Sequence, residues 1–450
     1  MITLGDLGLT PVKDTTPIEP VEDPNTTENE FALVTGSAVA RTLMHTWSGD
    51  RLVSVKSPPG AGKSTLIIDL VRHLLHRTEL DIVVASPTKR GMYDLTERLV
   101  DVLGVGENIP KVVFSHPTMD RPEGSVTSAI KSRHVTVRTV ASCAAKPPPV
   151  DVLIIDEAYQ STFSQVFSAA GQAQQIVMVG DPGQIGPVNR VPVTFWDNSK
   201  VSPASRAPEG FANFDGIVEI NLDSTYRVGQ TTVDVIAPLY EFVFKSARPD
   251  RWLVAADGTR APEITSVKVP EVSVRADQPL MKVIAAEAVK FIGQTVVDGH
   301  HEDGSPIESV IEEHDIAVVV AHNDQAQMVG AYINMLLGRG ANAASESRIY
   351  VGTADRAQGG QWKTVVALDP VVGHENAGSH QLSAGRLCVM LSRHTHHLTW
   401  LHDGTWCEKF TSVLDSEDVA AATQKDASLC IDVRQRLSVH DSGREVTFDA

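Results

Sequence analysis

The stretch Ser57–Thr65, with the sequence SPPGAGKST, decides the fold of this chain. The short apolar run Leu52–Val55 precedes it, and the apolar helical pattern Leu66–Leu75 follows it. A strand, a loop of small residues ending in Gly-Lys-Ser, and a helix together form the pattern of a phosphate-binding loop. The sequence therefore predicts a nucleotide-binding α/β domain built around this loop.

The residue types of the loop fit its predicted chemistry. Small residues let backbone N–H groups close around a phosphate at the positive end of a helix. We expect Lys63 to reach the terminal phosphates and Ser64 to be a Mg²⁺ ligand. The usual pattern has glycine where Ser57 stands, but the flanking strand and helix argue against a chance Gly-Lys-Ser turn. The predicted nucleotide-binding residues of the loop are Gly60, Ala61, Gly62, Lys63, Ser64 and Thr65.

A second apolar run, Val152–Ile155, ends in the acids Asp156 and Glu157. Acids at the carboxyl end of a central parallel strand face the ligand crevice. Asp156 is predicted to hold Mg²⁺ through water, and Glu157 to take a proton from the attacking water. The alternative is a strand that simply ends in polar residues, and the upstream phosphate loop favours the catalytic interpretation.

Short apolar runs alternate with longer mixed segments along most of the chain, which is typical of parallel sheets covered by helices. This rhythm predicts two tandem α/β domains, at residues 31–247 and 281–412, with a linker at 248–280. Residues 1–30 contain seven acids and one lysine and are predicted to be a disordered acidic tail. Residues 413–450 are a C-terminal tail of uncertain structure.

Bulk composition excludes several classes of protein. The 450 residues are 42% hydrophobic and 21% charged, which is typical of a globular protein. The net charge of −17 argues against a protein that coats nucleic acid over a broad surface, but it does not exclude a narrow basic channel. The four cysteines form no C-x-x-C pair and are expected to be free thiols. With no secretion signal and no membrane-length apolar run, we expect a cytoplasmic protein without a membrane partner.

In their order and spacing, these motifs resemble those of superfamily 1 helicases, from about Leu52 to His402. The resemblance implies two RecA-like P-loop NTPase domains with parallel sheets and an ATP site in the cleft between them. The string Asp156–Gln160, DEAYQ, looks most like the branch that contains RNA-decay and replication helicases. That branch implies movement from 5′ to 3′.

The resemblance also implies roles for residues around the nucleotide. In the motif Gly180–Val188, Gln184 matches the glutamine that senses the γ-phosphate. In Asn221–Arg227, Arg227 matches an arginine at the γ-phosphate, and Tyr226 matches the aromatic residue near the base.

Two motifs of the second domain complete the family's set. The stretch Val351–Gln361 contributes Gln358, Gly359 and Gln361 to cofactor binding, with Gln361 standing where the family has glutamate. Arg393, at the end of the last motif, matches a second arginine finger.

Loops after the strands are predicted to hold nucleic acid through its phosphates, without reading sequence. Phe195 and Trp196 could stack on a base, but core packing is the favoured interpretation. By resemblance, the contact residues are Pro87, Thr88, Lys89, Thr139, Asn323 and Gln325.

The leading hypothesis is an ATP-dependent helicase or translocase that uses ATP and Mg²⁺ on single-stranded DNA or RNA. A replication or repair protein is a candidate partner. The alternative is a nucleotide-gated binding module without unwinding activity, which the acidic balance favours slightly. The histidines His394, His396 and His397 are not expected to form a metal site, because adjacent residues of a strand point to opposite faces.

Overall fold

The computed structural model describes residues 37–448 except 107–108, 129–131, 188–193, 197–198, 200, 340–347, 379 and 415–420. The predicted acidic tail, residues 1–30, lies outside the described residues. The chain forms two compact units. The first contains residues up to 57, 62–182 and 186–222, and the second contains 58–61, 183–185 and 223 onward.

The first unit is a parallel sheet with six described helices. The strands are β1 (Leu52–Lys56), β2 (Ile82–Ser86), β3 (Lys111–Phe114), β4 (His134–Thr139), β5 (Val150–Ile155), β6 (Ala173–Gly180) and β7 (Ile217–Asn221). The helices are α1 (Ala38–Trp47), α2 (Lys63–Arg77), α3 (Lys89–Leu103), α4 (Val140–Ala145), α5 (Phe163–Ala169) and α6 (Ala207–Phe211).

The strand order of this sheet is β3-β4-β2-β5-β6-β1-β7, and every pair is parallel. All five residues of β2 are buried, as expected for a strand covered on both faces. The strand β6 lies between β1, which leads into the phosphate loop, and β5, which leads into the two acids. The loops that follow these three strands therefore meet at one edge of the sheet.

The second unit has more strands, in three sheets. The strands are β8 (Ser224–Thr225), β9 (Lys245–Ser246), β10 (Trp252–Leu253), β11 (Ile264–Lys268), β12 (Thr295–His300), β13 (Pro306–Val310), β14 (Ile316–Val320), β15 (Tyr350–Thr353), β16 (Trp362–Leu368), β17 (His394–His402) and β18 (Asp441–Glu445). The helices are α7 (Gln230–Ile236), α8 (Gln278–Val289), α9 (Asn323–Leu336), α10 (Ala354–Ala357), α11 (Ala384–Leu391), α12 (Trp406–Leu414) and α13 (Ala421–Ser438).

Its main sheet is again all parallel, in the order β15-β14-β16-β17-β11-β18. A small antiparallel sheet, β10-β12-β13, and the pair β8-β9 complete the unit. The predicted α/β fold class, with a parallel sheet in each of two RecA-like domains, is confirmed.

The limits of the two units differ from the predicted domains. The first unit ends at Leu222, and residues 223–247 pack with the second unit, where Val233 and Ile236 join its core. The predicted linker contains β11, a strand of the main sheet. The C-terminal segment contributes α13 and β18, and α13 buries Ala427 and Val433 in the same core. The boundaries of the two units therefore depend on contacts between residues distant in sequence, which a local sequence pattern does not contain.

Candidate active site

Two glycines give the phosphate loop its shape. Gly60 and Gly62 have φ angles of +73° and +86°, a left-handed backbone that side chains with a Cβ atom rarely adopt. Among the described non-glycine residues, Glu157 alone has a positive φ, so Ser57 has an ordinary backbone. The buried Ser57 donates its N–H to the Gly180 carbonyl at 2.9 Å. Serine is therefore compatible with the position where the usual pattern has glycine.

The loop ends at the exposed positive end of a long helix. The helix α2 begins at Lys63 and has 15 residues, and its N-cap, Gly62, makes no side-chain capping bond. Its first turn contains no acid. The first amides of a helix have no acceptor within the helix, and they carry a partial positive charge. This end of α2 is therefore suited to an anion such as a phosphate.

Lys63 faces two carboxylates from neighbouring strand ends. Its Nζ atom lies 3.7 Å from Oε1 of Glu157 and 4.0 Å from Oδ2 of Asp181. Glu157 follows β5 and Asp181 follows β6, so the strand order brings all three residues to one edge. Sequence reasoning missed Asp181, which is 1% exposed. Its signal was available, because it follows β6 directly, as Asp156 follows β5.

The predicted base has a strained backbone. Glu157 lies in the left-handed region, with φ 48° and ψ 44°. Such a conformation costs free energy in a residue with a Cβ atom, and strain of this kind concentrates at functional sites. Its carbonyl accepts the Gln160 N–H at 2.8 Å, which closes the turn after β5. The turn holds the Glu157 carboxylate toward Lys63 and leaves it partly exposed.

Burial, together with the negative charge of Glu157, raises the pKa of the Asp156 carboxyl to about 7. Lys63 acts in the opposite direction. A nearby cation stabilises the ionised form of a buried carboxyl. The Asp156 carboxylate is therefore suited to a divalent metal ion. Among the described residues, no group of three or more His, Cys, Asp or Glu side chains could hold a metal by itself. Mg²⁺ at phosphate sites usually needs only one or two protein ligands besides water and phosphate oxygens.

In the second unit, Arg227 lies against the phosphate loop. A Cβ atom on Gly60 would come within 2.3 Å of the Arg227 Cβ, so glycine is required there. The Tyr226 N–H donates to the Gly60 carbonyl at 3.0 Å, and the Thr225 hydroxyl donates to the Pro59 carbonyl at 2.6 Å. The Tyr226 ring is exposed. Residues 225–227 therefore hold the backbone of the loop.

The predicted arginines belong to one set of contacts in this unit. Arg227 donates from Nε to Oε1 of Gln361 at 3.2 Å and from Nη1 to the Ser392 carbonyl at 3.4 Å. The buried Arg393 donates from Nη2 to the Ser392 hydroxyl at 3.2 Å and from Nη1 to the Gly360 carbonyl at 3.4 Å. The structure therefore brings together both predicted arginine fingers and the predicted cofactor residue Gln361.

The predicted sensor Gln184 is buried, with 4% exposure. Its Oε1 atom lies 3.4 Å from Nε2 of Gln358, another predicted cofactor residue. A Cβ atom on Gly385 would come within 2.7 Å of the Gln184 carbonyl oxygen, so glycine lets the two segments approach. Gly359, next to Gln358, is exposed and has a φ of +87°.

The predicted nucleic-acid contacts of the first unit lie on neighbouring strand ends. Ser86 of β2 pairs with Thr139 of β4. Thr88 and Thr139 are the N-caps of α3 and α4, and their hydroxyls accept backbone N–H groups at 3.0 and 3.2 Å. Lys89 is exposed beside Thr88, and Pro87 is half-buried.

In the second unit, Asn323 is exposed at the start of α9, whereas Gln325 is 1% exposed. The Gln325 side chain accepts the N–H groups of Ala321 and His322 and donates to the Arg275 carbonyl at 2.8 Å. Its amide therefore holds the turn before α9 and does not face solvent.

Two further expectations concern aromatic and histidine side chains. Phe195 and Trp196 are 79% and 43% exposed, so core packing, the favoured interpretation, is wrong. The three histidines of β17 are buried and bind separate partners. His394 lies 3.3 Å from Glu263, His396 lies 3.1 Å from Asp298, and His397 lies 2.8 Å from the Pro262 carbonyl.

The profile of a family described as AAA domain matches residues 37–195. This range contains the phosphate loop, both acids of the DEAYQ string and the Gln184 motif. The match and the strand-end geometry around Lys63 together support a P-loop nucleotide-binding domain in the first unit. The match covers about a third of the chain and is consistent with the resemblance to superfamily 1 helicases. The match does not address the 5′-to-3′ branch.

Several solved helicases are similar to the chain. The PRRSV helicase is 17% identical with a TM-score of 0.42, over 80% of this chain and 54% of that one. Arterivirus nonstructural protein 10 (helicase) is 18% identical with a TM-score of 0.42, over 82% of this chain and 63% of that one. The structure of arterivirus nonstructural protein 10 (helicase) in complex with DNA is 17% identical with a TM-score of 0.42, over 82% of this chain and 64% of that one. The chain thus spans less than two thirds of the length of each.

No curated protein sequence matches the chain. In the part of the chain that the structure describes, no helix has both the length and the apolar character needed to cross a membrane.

Proposed function

We propose that the chain is an ATP-dependent helicase or translocase that moves along single-stranded DNA or RNA. The observation that carries this proposal is the cluster of Lys63, Glu157 and Asp181 beside the uncapped start of α2. A cation, a candidate base and a phosphate cradle at one sheet edge are the parts that hydrolysis of a nucleoside triphosphate requires.

The nucleotide would be held mainly by the loop. The backbone amides of Gly60 to Thr65 would bind the phosphates. Lys63 would move away from Glu157 and Asp181 and neutralise the oxygens of the terminal phosphate. Ser64 and Asp156 would hold Mg²⁺, which neutralises charge on the β and γ oxygens when it is bound. The exposed ring of Tyr226 would pack on the base, and Gln358, Gly359 and Gln361 would complete the site.

Hydrolysis itself would use four side chains. Glu157 would accept a proton from the attacking water. Arg227 and Arg393 would stabilise the charge of the transferring phosphoryl group. The buried amide of Gln184 would bond the γ-phosphate in one state and Gln358 in another, which couples phosphate loss to a change in the second unit.

The nucleic acid would lie on loops after the strands. In the first unit the contacts would be Pro87, Thr88, Lys89 and Thr139, because hydroxyl and ammonium groups bind phosphates without reading sequence. In the second unit Asn323 is the proposed contact, and Gln325 supports it through the turn. The DEAYQ string supports 5′-to-3′ movement, and a replication or repair protein is the proposed partner class.

The decisive experiment measures turnover of ATP with Mg²⁺, alone and with single-stranded DNA or RNA. We expect stimulation by at least one nucleic acid, and no turnover in Lys63→Ala. ATP binding without stimulated turnover would instead favour a nucleotide-gated binding module. Duplexes with a single-stranded tail at either end then test direction, and displacement only from 3′ tails would contradict the proposed polarity.

A further inference from the structure

The arginine cluster of the second unit contains Gln361, for which the family resemblance implies only a contact to the cofactor. Gln361 stands where the family has glutamate. Its Oε1 atom accepts the Nε–H of Arg227 at 3.2 Å. Gln361 is exposed and immediately precedes β16, so the sheet fixes its backbone while its side chain reaches Arg227.

The contacts around this pair form a closed ring. Arg227 binds Gln361 and the Ser392 carbonyl, Arg393 binds the Ser392 hydroxyl, and Arg393 also binds the carbonyl of Gly360, the neighbour of Gln361. In addition, the Trp362 N–H donates to the Arg393 carbonyl at 3.0 Å. The segments 360–362 and 392–393 therefore contact both guanidinium groups, and Gln361 supplies one side-chain contact to Arg227.

The charge of the acceptor decides what this contact does. A neutral amide orients a guanidinium through one hydrogen bond and leaves its full positive charge in place. A carboxylate at the same position would form a charge-assisted bond, which is roughly twice as strong, and would neutralise that charge. For an arginine that must stabilise negative charge on a phosphoryl group, orientation helps the reaction, whereas neutralisation opposes it.

We propose that Gln361 is a positioning residue for Arg227, and that glutamine instead of glutamate at this position keeps the arginine charge available for phosphoryl transfer. This inference rests on the proposed function, because Arg227 has this role only in a nucleoside triphosphatase.

The test uses the full chain and two substitutions of similar size. Gln361→Glu adds only a charge, and Gln361→Met removes the acceptor. We expect Gln361→Glu to lower kcat about tenfold, the difference that one charge-assisted bond can supply, and to change KM for ATP less than it changes kcat. Gln361→Met should lower kcat less, because it frees the guanidinium without neutralising it. Gln435→Glu, an exposed change on α13, is the matched control and should leave kcat unchanged.

A double-mutant cycle separates positioning from a structural role. In the Arg227→Ala background, Gln361→Glu should have no further effect on kcat, because its target is gone. Wild-type kcat in Gln361→Glu would overturn the inference and leave the proposed function intact. An equal loss in both backgrounds would also overturn it, since the effect would not pass through Arg227. A wild-type chain without turnover would overturn the proposed function together with this inference.

Discussion

The two parallel sheets of this chain carry opposite charges at their functional positions. In the first unit, the strand ends place three carboxylates, Asp156, Glu157 and Asp181, around a single lysine. In the second unit, Arg227 and Arg393 donate to neutral acceptors that include the Gln361 amide, the Ser392 hydroxyl and backbone carbonyls. The difference indicates a division of labour. Under the proposed function, the carboxylates would handle a metal ion and a water proton, and the arginines would stabilise charge that forms on a phosphate.

The largest expected effect tests the proposed role of the arginines in the second unit. Arg227→Ala keeps the Cβ atom that packs against Gly60, so the loop and its nucleotide affinity should be retained. Turnover should fall by about 10³-fold or more, the range found for arginine fingers. Single-turnover hydrolysis and nucleotide binding measure the two quantities. Arg356→Ala, an exposed arginine on α10, is the control. Turnover within a few-fold of wild type would remove Arg227 from the reaction.

The proposed role of the carboxylates in the first unit is tested by Glu157→Gln, which preserves the size of the side chain and removes the proposed base. Hydrolysis should fall by about 10²–10⁴-fold. ATP binding with Mg²⁺ should be kept or strengthened, because Glu157 raises the pKa of Asp156 and its removal makes that carboxyl easier to ionise. Glu302→Gln, at an exposed glutamate of the second unit, is the control. A Glu157→Gln chain that hydrolyses ATP normally would refute the assignment of the base.

Several residues of the candidate site in the first unit could be predicted from the sequence. Phosphate loops and acid-ended strands are local patterns, so Lys63, Asp156 and Glu157 were found without coordinates. Asp181 had the same local signal after β6, but its place beside Lys63 depends on β6 lying between β1 and β5, and strand order is not a local property. The strain at Glu157 was also invisible, because a backbone angle is set by the turn and not by the residue type.

The second unit was harder to predict because its sequence signals mislead. The strand β17 contains His394, His396 and His397, which are typical of surfaces, yet all are buried. The strand β11, ITSVK, alternates too weakly to be distinguished from a linker. Its place in the sheet comes from pairing with β17 and β18, which are distant in sequence. The contact between Gln361 and Arg227 joins residues 134 positions apart, and no spacing rule reaches that far.

A buried ion pair offers a stability test confined to the second unit. Arg434 of α13 donates to both carboxylate oxygens of Asp369 at 2.8 and 2.7 Å, and its guanidinium lies 4.5 Å from the Phe410 ring centre. Both charged side chains are at most 1% exposed. Removing one partner leaves a buried charge, so Arg434→Met should cost about 3–5 kcal/mol of unfolding free energy.

Chemical denaturation should show this loss in the transition of the second unit, with the first unit unchanged. The double variant Asp369→Leu with Arg434→Met should recover most of the stability, because it leaves no unpaired charge. An equal shift in both transitions would mean that α13 does not act within the second unit alone. Gln435→Met, on the exposed side of the same helix, is the control.

The smallest expected effect compares the nucleic-acid contacts of the two units. Lys89 is a cation and Asn323 is a neutral amide, and both are exposed at the start of a helix. A cation on a single strand releases counterions, with a slope of about −0.7 in log affinity against log salt for each phosphate. Lys89→Gln should therefore make the slope shallower by about 0.7, which is roughly a 2.6-fold change in relative affinity between 50 and 200 mM salt. Asn323→Ala should weaken binding at every salt concentration and leave the slope unchanged, because an amide releases no counterion. Fluorescence anisotropy with a labelled oligonucleotide measures both slopes. If Asn323→Ala changes the slope as much as Lys89→Gln does, the second unit also binds through charge, and the contrast between the two units does not extend to nucleic acid.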